Sequence, residues 1–366
     1  LLLKRFHIFT NYMNNWRWLL LPFSLIYGLV VIVRNWLYDG GLLKSRRFAI
    51  PVICVGNLDV GGAGKSPMTE YLVRLLRQDN RLATLSRGYG RNTQGFLIAS
   101  ANATAAEIGD EPSQFKHKFQ DVTVAVCEDR ATGIQNLKKD HNLVILDDGY
   151  QHRAVKPGFS ILMFDYGKIY DPHWLLPAGN MREPFSGRWR ADILVVSKCP
   201  ENMPIAEQTS IAERLEPLPF QALFFSSIAY QPLQDMKGKK ALISPDADTT
   251  VFLLTGIANP APLVRHIKNI TPHIIHHNYP DHHRFSLKNI AKLADEFQAC
   301  PAQKKVIITT EKDAQRLGEH ELQPAVEKLP VMVLPVAARF LNDSGAQFNQ
   351  LVTAYVREYR TNHIIH

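Results

Sequence analysis

Residues 50–78 read IPVICVGNLDVGGAGKSPMTEYLVRLLRQ, and this stretch decides the fold. Pro51-Val52-Ile53-Cys54-Val55 is a short apolar run suited to a strand buried on both faces. A glycine turn follows, Gly61-Gly62-Ala63-Gly64, and then Lys65-Ser66-Pro67. Beyond it Met68, Leu72, Leu75 and Leu76 recur at helical spacing, with Glu70, Arg74 and Arg77 on the other side. Strand, glycine loop, Lys-Ser and helix in that order make a phosphate cradle. Glycines let backbone N–H groups turn inward onto phosphate oxygens, and the helix N-terminus adds partial positive charge. Lys65 would reach the outer phosphates, and Ser66 would ligate Mg²⁺. The usual pattern places a glycine five residues before Gly64; this chain has Asp59 there.

A second stretch supports the first. Leu143-Val144-Ile145-Leu146 is a buried-type strand that ends in Asp147-Asp148-Gly149-Tyr150-Gln151-His152. An apolar strand ending in aspartate is what a metal-holding carboxylate beside the cradle needs. Two aspartates in a row provide one for Mg²⁺ and one to orient it or its waters. Further strands are expected at Arg81–Ser86, Val122–Val126, Ser160–Phe164 and Ile193–Val196. The alternation of strands and helices predicts a mostly parallel sheet covered on both faces. The loops carry candidate substrate residues: Arg87 and Arg91 between glycines, Glu111 in the acidic stretch 107–112, Arg130 in a polar turn, and Arg182-Glu183 before Pro184.

Prolines and polar residues collect near Pro200–Pro219, so a domain boundary is expected there. The expected organisation is an N-terminal anchor at 1–46, a kinase domain of the P-loop NTPase type at 47–215, and a second, smaller α/β domain at 216–366. The second domain repeats strand and helix signals from Phe252–Gly256 to Lys305–Thr309 and carries Asp281-His282-His283 and Thr310-Glu311-Lys312-Asp313.

The chain has 366 residues and a net charge of +8. Residues 1–47 hold Lys4, Arg5, Arg17, Arg34, Lys44, Arg46 and Arg47 against Asp39 alone, so most of the excess charge lies there. Between Arg17 and Arg34 runs the uncharged segment WLLLPFSLIYGLVVIV, Trp18 to Val33. A nearly neutral body with a basic, apolar N-terminus points to an anionic membrane surface and away from nucleic acid. The run is shorter than the roughly 20 residues of a full span. Pro22 and Gly28 weaken a straight helix, so a short span and an in-plane helix both stay open. The four cysteines form no CxxC pair, which suits buried thiols in a reducing compartment. His273, His276, His277, His282 and His283 have no cysteine nearby, and His276 and His277 would point to opposite faces of a strand, so a zinc site is not expected.

Cradle, metal carboxylates, loop arginines and a spare acidic loop are the parts of a phosphoryl-transfer site. Eight segments, in order along nearly the whole chain, resemble the tetraacyldisaccharide 4'-kinase family of lipid A synthesis. They are Val55-Gly56-Asn57 with Gly61–Pro67, Ser86–Arg91, Gly109–Pro112, Asp147–His152, Leu176–Pro184, Gly256–Pro260, Asp281-His282 and Thr310–Asp313. The family lacks the first cradle glycine, which accounts for Asp59. Tyr150 departs from the more usual Phe, and Ser66 replaces Thr while keeping the hydroxyl.

The resemblance implies transfer of the ATP γ-phosphate to the 4'-hydroxyl of a tetraacyldisaccharide 1-phosphate, with ATP and Mg²⁺ as cofactors. It implies a monomer at the cytoplasmic face of the bacterial inner membrane, with a lipid A disaccharide precursor as partner. It also implies Asp110 as the base, tuned by His282 from the other domain. Gln151, Arg130, Arg182 and Glu183 would line the site, and Thr310 and Asp313 would lie near the nucleotide. A membrane-associated P-loop GTPase or ATPase switch is the alternative. A guanine reader would need Asp where Ser197-Lys198-Cys199 is followed by Pro200.

Overall fold

The computed structural model describes residues 16–241 and 244–364. Lys4 and Arg5, expected to aid membrane attachment, lie outside the described residues. The chain forms two compact units, each assembled from separate segments. The first comprises residues 1–87, 125–228 and 338–366, and the second comprises 88–124 and 229–337. This corrects the contiguous division expected at 215/216. Residues 88–124 leave the kinase domain for the second unit, and the last segment returns to the first.

The first unit opens with a 3-10 turn, Trp16–Leu20, that runs into helix α1, Leu21–Asp39. Together they form a 24-residue element containing an 18-residue stretch of mean hydropathy 1.8, long and apolar enough to cross a membrane by length and composition. Pro22 does not break it. It sits in the first turn, where its missing N–H would have had no partner. Gly28 lies close against the protein body, since a Cβ there would fall 2.8 Å from Leu175 Cδ1.

The parallel core consists of β1 (Val52–Asn57), β2 (Leu82–Ser86), β3 (Thr123–Val126), β4 (Leu143–Asp147), β5 (Phe159–Asp165), β6 (Ile193–Ser197) and β7 (Ala222–Tyr230). β1 lies at the centre between β4 and β5, with β2 beyond β4 and β6 and β7 beyond β5. Because these strands are parallel, Asn57, Asp147, Asp165 and Ser197 all emerge at one edge. Helix α2, Lys65–Leu76, starts at that edge and buries Met68, Leu72, Val73 and Leu76 against the sheet.

The C-terminal segment belongs to this core for a packing reason. Strand Val336–Phe340 adds to the sheet beside β7. Phe348 of helix Gly345–Ile364 is fully buried among Tyr71, Phe224 and Phe340. Tyr355 Oη also accepts from Val52 N at 3.2 Å.

The second unit has its own sheet: β8 (Gln234–Asp235), β9 (Thr250–Thr255), β10 (Ile274–Asn278), β11 (Lys305–Thr310) and β12 (Val331–Leu334). The order is β10-β9-β11-β12-β8, parallel except for β8. After β9 the chain first adds β10 on one side and then β11 on the other. The strand order therefore reverses direction between β9 and β11, and in open α/β sheets the carboxyl ends at such a point are the usual ligand position.

Candidate active site

In the first unit β1, the glycine loop and α2 follow one another in the order expected from the sequence. Gly64, with φ +76°, precedes α2, and a Cβ there would press on Ser197 Oγ at 3.0 Å. Lys65 and Ser66 occupy the first turn of α2. The loop is held through its carbonyls. Ser197 Oγ donates to Ala63 O at 2.8 Å, Lys198 Nζ donates to Gly62 O, and Lys168 Nζ donates to Val60 O at 3.3 Å. Lys198, the lysine of the switch alternative, is thus tied to the cradle and to Asp165 at 2.7 Å.

Charged groups gather in front of this loop. Lys65 Nζ donates to Asn57 Oδ1 at 2.9 Å and lies 3.5 Å from Asp148 Oδ1. Arg182 Nη1 meets both oxygens of Asp148, at 3.1 and 3.2 Å, and Gln151 Oε1 at 3.3 Å. Burial opposes ionisation of Asp148, but Lys65 and Arg182 outweigh it and hold the carboxyl below its usual range. Asp148 has φ +51°, a left-handed backbone rarely adopted by residues other than glycine. Asp147 is buried and accepts from Thr69 Oγ1 at 2.9 Å.

Arg130 is also buried, with Nη2 3.3 Å from Asp148 O. Glu183, expected to face substrate, is fully buried instead. It accepts from Gln151 Nε2 at 2.9 Å and pairs with Arg190 at 2.9 Å, so it orients Gln151. Arg87 is exposed at the end of the first segment. Asn57 and Arg190 were not singled out by sequence. Asn57 could have been, as the last residue of the strand that feeds the cradle.

The second unit holds the other cluster. Asp110, the first residue of helix Asp110–Lys118, lies with its Oδ2 2.9 Å from His282 Nδ1. Both residues belong to this unit, which corrects the expectation that His282 comes from the other domain. Arg316 Nη2 and Nε reach the same Oδ2 at 2.6 and 3.0 Å. Burial would raise the Asp110 pKa, but His282 and Arg316 more than offset it and bring it down to about 2. The Asp110 hydrogen bond in turn raises His282 above its ordinary value. Three contacts thus converge on Oδ2, and none among the described residues is made to Oδ1.

The supports of this cluster explain Thr310 and Asp313. Thr310 caps helix Glu311–Leu317 by accepting from Asp313 N at 3.1 Å. Asp313 is fully buried and accepts from Thr310 Oγ1 at 2.7 Å, Gly256 N at 3.1 Å and Arg316 Nη1 at 3.1 Å. Through the last of these contacts Asp313 holds Arg316 in its position. His282 has φ +57° and its N–H donates to Gly256 O at 3.1 Å, so the loop aims the imidazole. Glu111 is engaged by Lys312 at 2.5 Å, and Arg91 donates to Gly95 O at 2.7 Å. Arg316 escaped the sequence reading. Its only signal is its place three residues after Asp313 on a helix.

Ser66 in the first turn of α2, Asp147 at the end of β4 and Asp148 after it would offer hard oxygen donors. Among the described residues no group of three or more His, Cys, Asp or Glu gathers. Such a set fits Mg²⁺, which is usually held by one or two carboxylates together with phosphate oxygens and water.

The sequence matches the profile of the LpxK family, tetraacyldisaccharide-1-P 4'-kinase, over residues 16–357. The chain belongs to that family. It is 42% identical over 360 residues to a tetraacyldisaccharide 4'-kinase of Bacteroides thetaiotaomicron, covering 94% of each chain. It is also 42% identical over 349 residues to the enzyme of that name from Flavobacterium johnsoniae, covering 94% of this chain and 99% of the relative. Among solved structures it resembles the "apo" form of LpxK from Aquifex aeolicus in complex with ATP. The TM-score is 0.72 at 30% identity, over 93% of this chain and 99% of that one.

Proposed function

We propose that this protein phosphorylates the 4'-hydroxyl of tetraacyldisaccharide 1-phosphate with ATP, a step of lipid A biosynthesis. The observation that carries the reading is the likeness to named 4'-kinases across almost the full length of both chains. The parts of a phosphoryl-transfer site are present along that length.

Lys65 and the loop Gly61–Pro67 bind the phosphates, and Lys65 neutralises charge that develops during transfer. Ser66, Asp147 and Asp148 would hold Mg²⁺, which supplies further charge neutralisation when bound. Gln151 and Arg182 orient groups beside Asp148. Asp110 accepts the proton of the sugar hydroxyl at Oδ1, while His282 and Arg316 fix the carboxylate through Oδ2. Arg87, Arg91 and Arg130 contribute positive charge toward an anionic acceptor. The apolar element Trp16–Asp39 supports attachment at the cytoplasmic face of the inner membrane, where such an acceptor resides.

Incubation of the purified protein with γ-labelled ATP and the disaccharide 1-phosphate should give a bisphosphate labelled at the 4'-position. Label released as inorganic phosphate at the same rate with and without acceptor would favour the ATPase switch instead.

A further inference from the structure

Helix α1 is apolar around most of its circumference, yet one line along it is different. Ser24, Gly28, Val31 and Asn35 follow at intervals of four, three and four residues, with Tyr27 three residues after Ser24, which puts them on one face. Ser24, Gly28 and Val31 are buried, whereas Phe23, Leu25, Ile26, Leu29, Val30 and Trp36 are exposed. The buried line meets the loop Leu175–Glu183. Ser24 Oγ accepts from Ala178 N at 2.9 Å. Tyr27 Oη donates to Arg182 O at 2.7 Å. Asn35 Nδ2 lies 3.4 Å from Glu183 Oε2. Just before the helix, Arg17 donates to Pro177 O at 2.9 Å and to Asn180 Oδ1 at 3.0 Å, so this arginine is turned to the protein.

The two residues at the end of that loop are Arg182, bound to both oxygens of Asp148, and Glu183, which fixes Gln151. A helix serving only as an anchor has no use for a hydroxyl aimed at the carbonyl of a site arginine. We propose that Tyr27, Ser24 and Asn35 are positioning residues for phosphoryl transfer. They hold the Arg182–Glu183 segment in register with Asp148 and Gln151, while the opposite face of the helix provides the apolar surface. The proposal rests on the kinase reading of the first-unit site. Its physical basis is geometric: a small misplacement of a group that orients reactants slows transfer far more than the strength of one hydrogen bond would suggest.

Tyr27→Phe, Ser24→Ala and Asn35→Leu separate positioning from anchorage, because each leaves the helix as apolar or more so. The full chain is assayed in detergent micelles containing the disaccharide 1-phosphate, and its binding to vesicles of phosphatidylethanolamine and phosphatidylglycerol is measured by flotation. Tyr27→Phe should lower kcat roughly 10-fold, and the triple variant up to about 10²-fold. KM for ATP and vesicle binding should stay unchanged.

Hydrogen exchange supplies a readout that needs no catalysis. Amides of residues 175–183 should exchange faster in the triple variant, with the rest of the sheet as in wild type. A kcat within about two-fold of wild type together with unchanged exchange in that segment would overturn the proposal. A wild type inactive on the acceptor, with faster loop exchange in the variant, would remove the kinase reading but keep the contact between helix and loop.

Discussion

The two charged clusters of this protein solve different problems. In the first unit, Lys65, Arg182 and Asp148 are paired with one another in front of a loop of backbone donors. Side chains paired this way can exchange partners when phosphates arrive, because each cation has only part of a carboxylate to give up. In the second unit, Asp110 is fastened by three contacts to one oxygen, from an imidazole and a guanidinium that are themselves held by Gly256 and Asp313. That carboxylate is held in place, and among the described residues its other oxygen takes no hydrogen bond. The contrast is between carboxylate–cation pairs that can be exchanged and a carboxylate that is clamped, and it is what the proposed roles of charge binding and proton acceptance rest on.

Asp110→Asn gives the largest effect that can break this comparison. Loss of a general base typically costs about 10²–10⁴ in rate. ATP affinity, measured by calorimetry, should be retained, and a loss there would move Asp110 into the nucleotide set. Because Asp110 and His282 are hydrogen-bonded partners, Asp110→Asn with His282→Ala should be little worse than the poorer single variant.

Lys65→Ala comes next, with kcat expected to fall by about 10²–10³ as one electrostatic contact to the transferring group is removed. Here, unlike in Asp110→Asn, ATP binding should weaken as well. Activity within about two-fold of wild type would place the nucleotide elsewhere.

Arg316→Gln sharpens the distinction between touching and positioning. The side chain reaches Asp110 only through Oδ2, so a drop of roughly 10-fold is expected, about 1.4 kcal/mol. Lysine at this position should rescue poorly, since one ammonium cannot replace both Nε and Nη2.

The smallest effect is on pH dependence. His282 has its folded pKa raised, so its pairing stabilises the protein below pH 6.5 and is lost as pH rises through the raised value. Asp110 is shifted the other way, to about 2, so its contribution is present above the ordinary aspartate value and is lost as pH falls toward 2. The pair is therefore worth most between these limits. In an NMR titration the His282 imidazole should titrate above 6.5 in wild type and move down in Asp110→Asn. An unmoved His282 pKa would dissolve the pair in solution.

Local pattern made much of this legible. Apolar runs located β1, β2, β4, β5, β6, β9 and β11 to within a residue or two, because strands buried on both faces leave a continuous hydrophobic signal. The cradle was readable because glycine, Lys65 and Ser66 must be adjacent in sequence to work together. Arg316 was not readable, because an arginine on a helix has many uses and its partner Asp110 lies 206 residues away. The burial of Glu183 was hidden for a related reason: its partners Gln151, Arg190 and Asn35 come from three separate segments. Truncating residues 1–37, which sequence alone presents as removing a separable anchor, would also remove Ser24, Tyr27 and Asn35 from the loop that carries Arg182.

The sequence by itself determined the element order and the family, and it put forward the glycine loop and the paired aspartates as candidates, since each is written in residues close together along the chain. Only the tertiary structure decided which segments share a unit. Residues 88–124 join the second unit and residues 338–366 the first, because long-range packing such as that of Phe348 and Tyr355 has no local signature. It also decided the left-handed backbone at Asp148 and His282. Those φ values run against local preference and persist because surrounding hydrogen bonds hold them, which is a property of the fold and not of any short stretch.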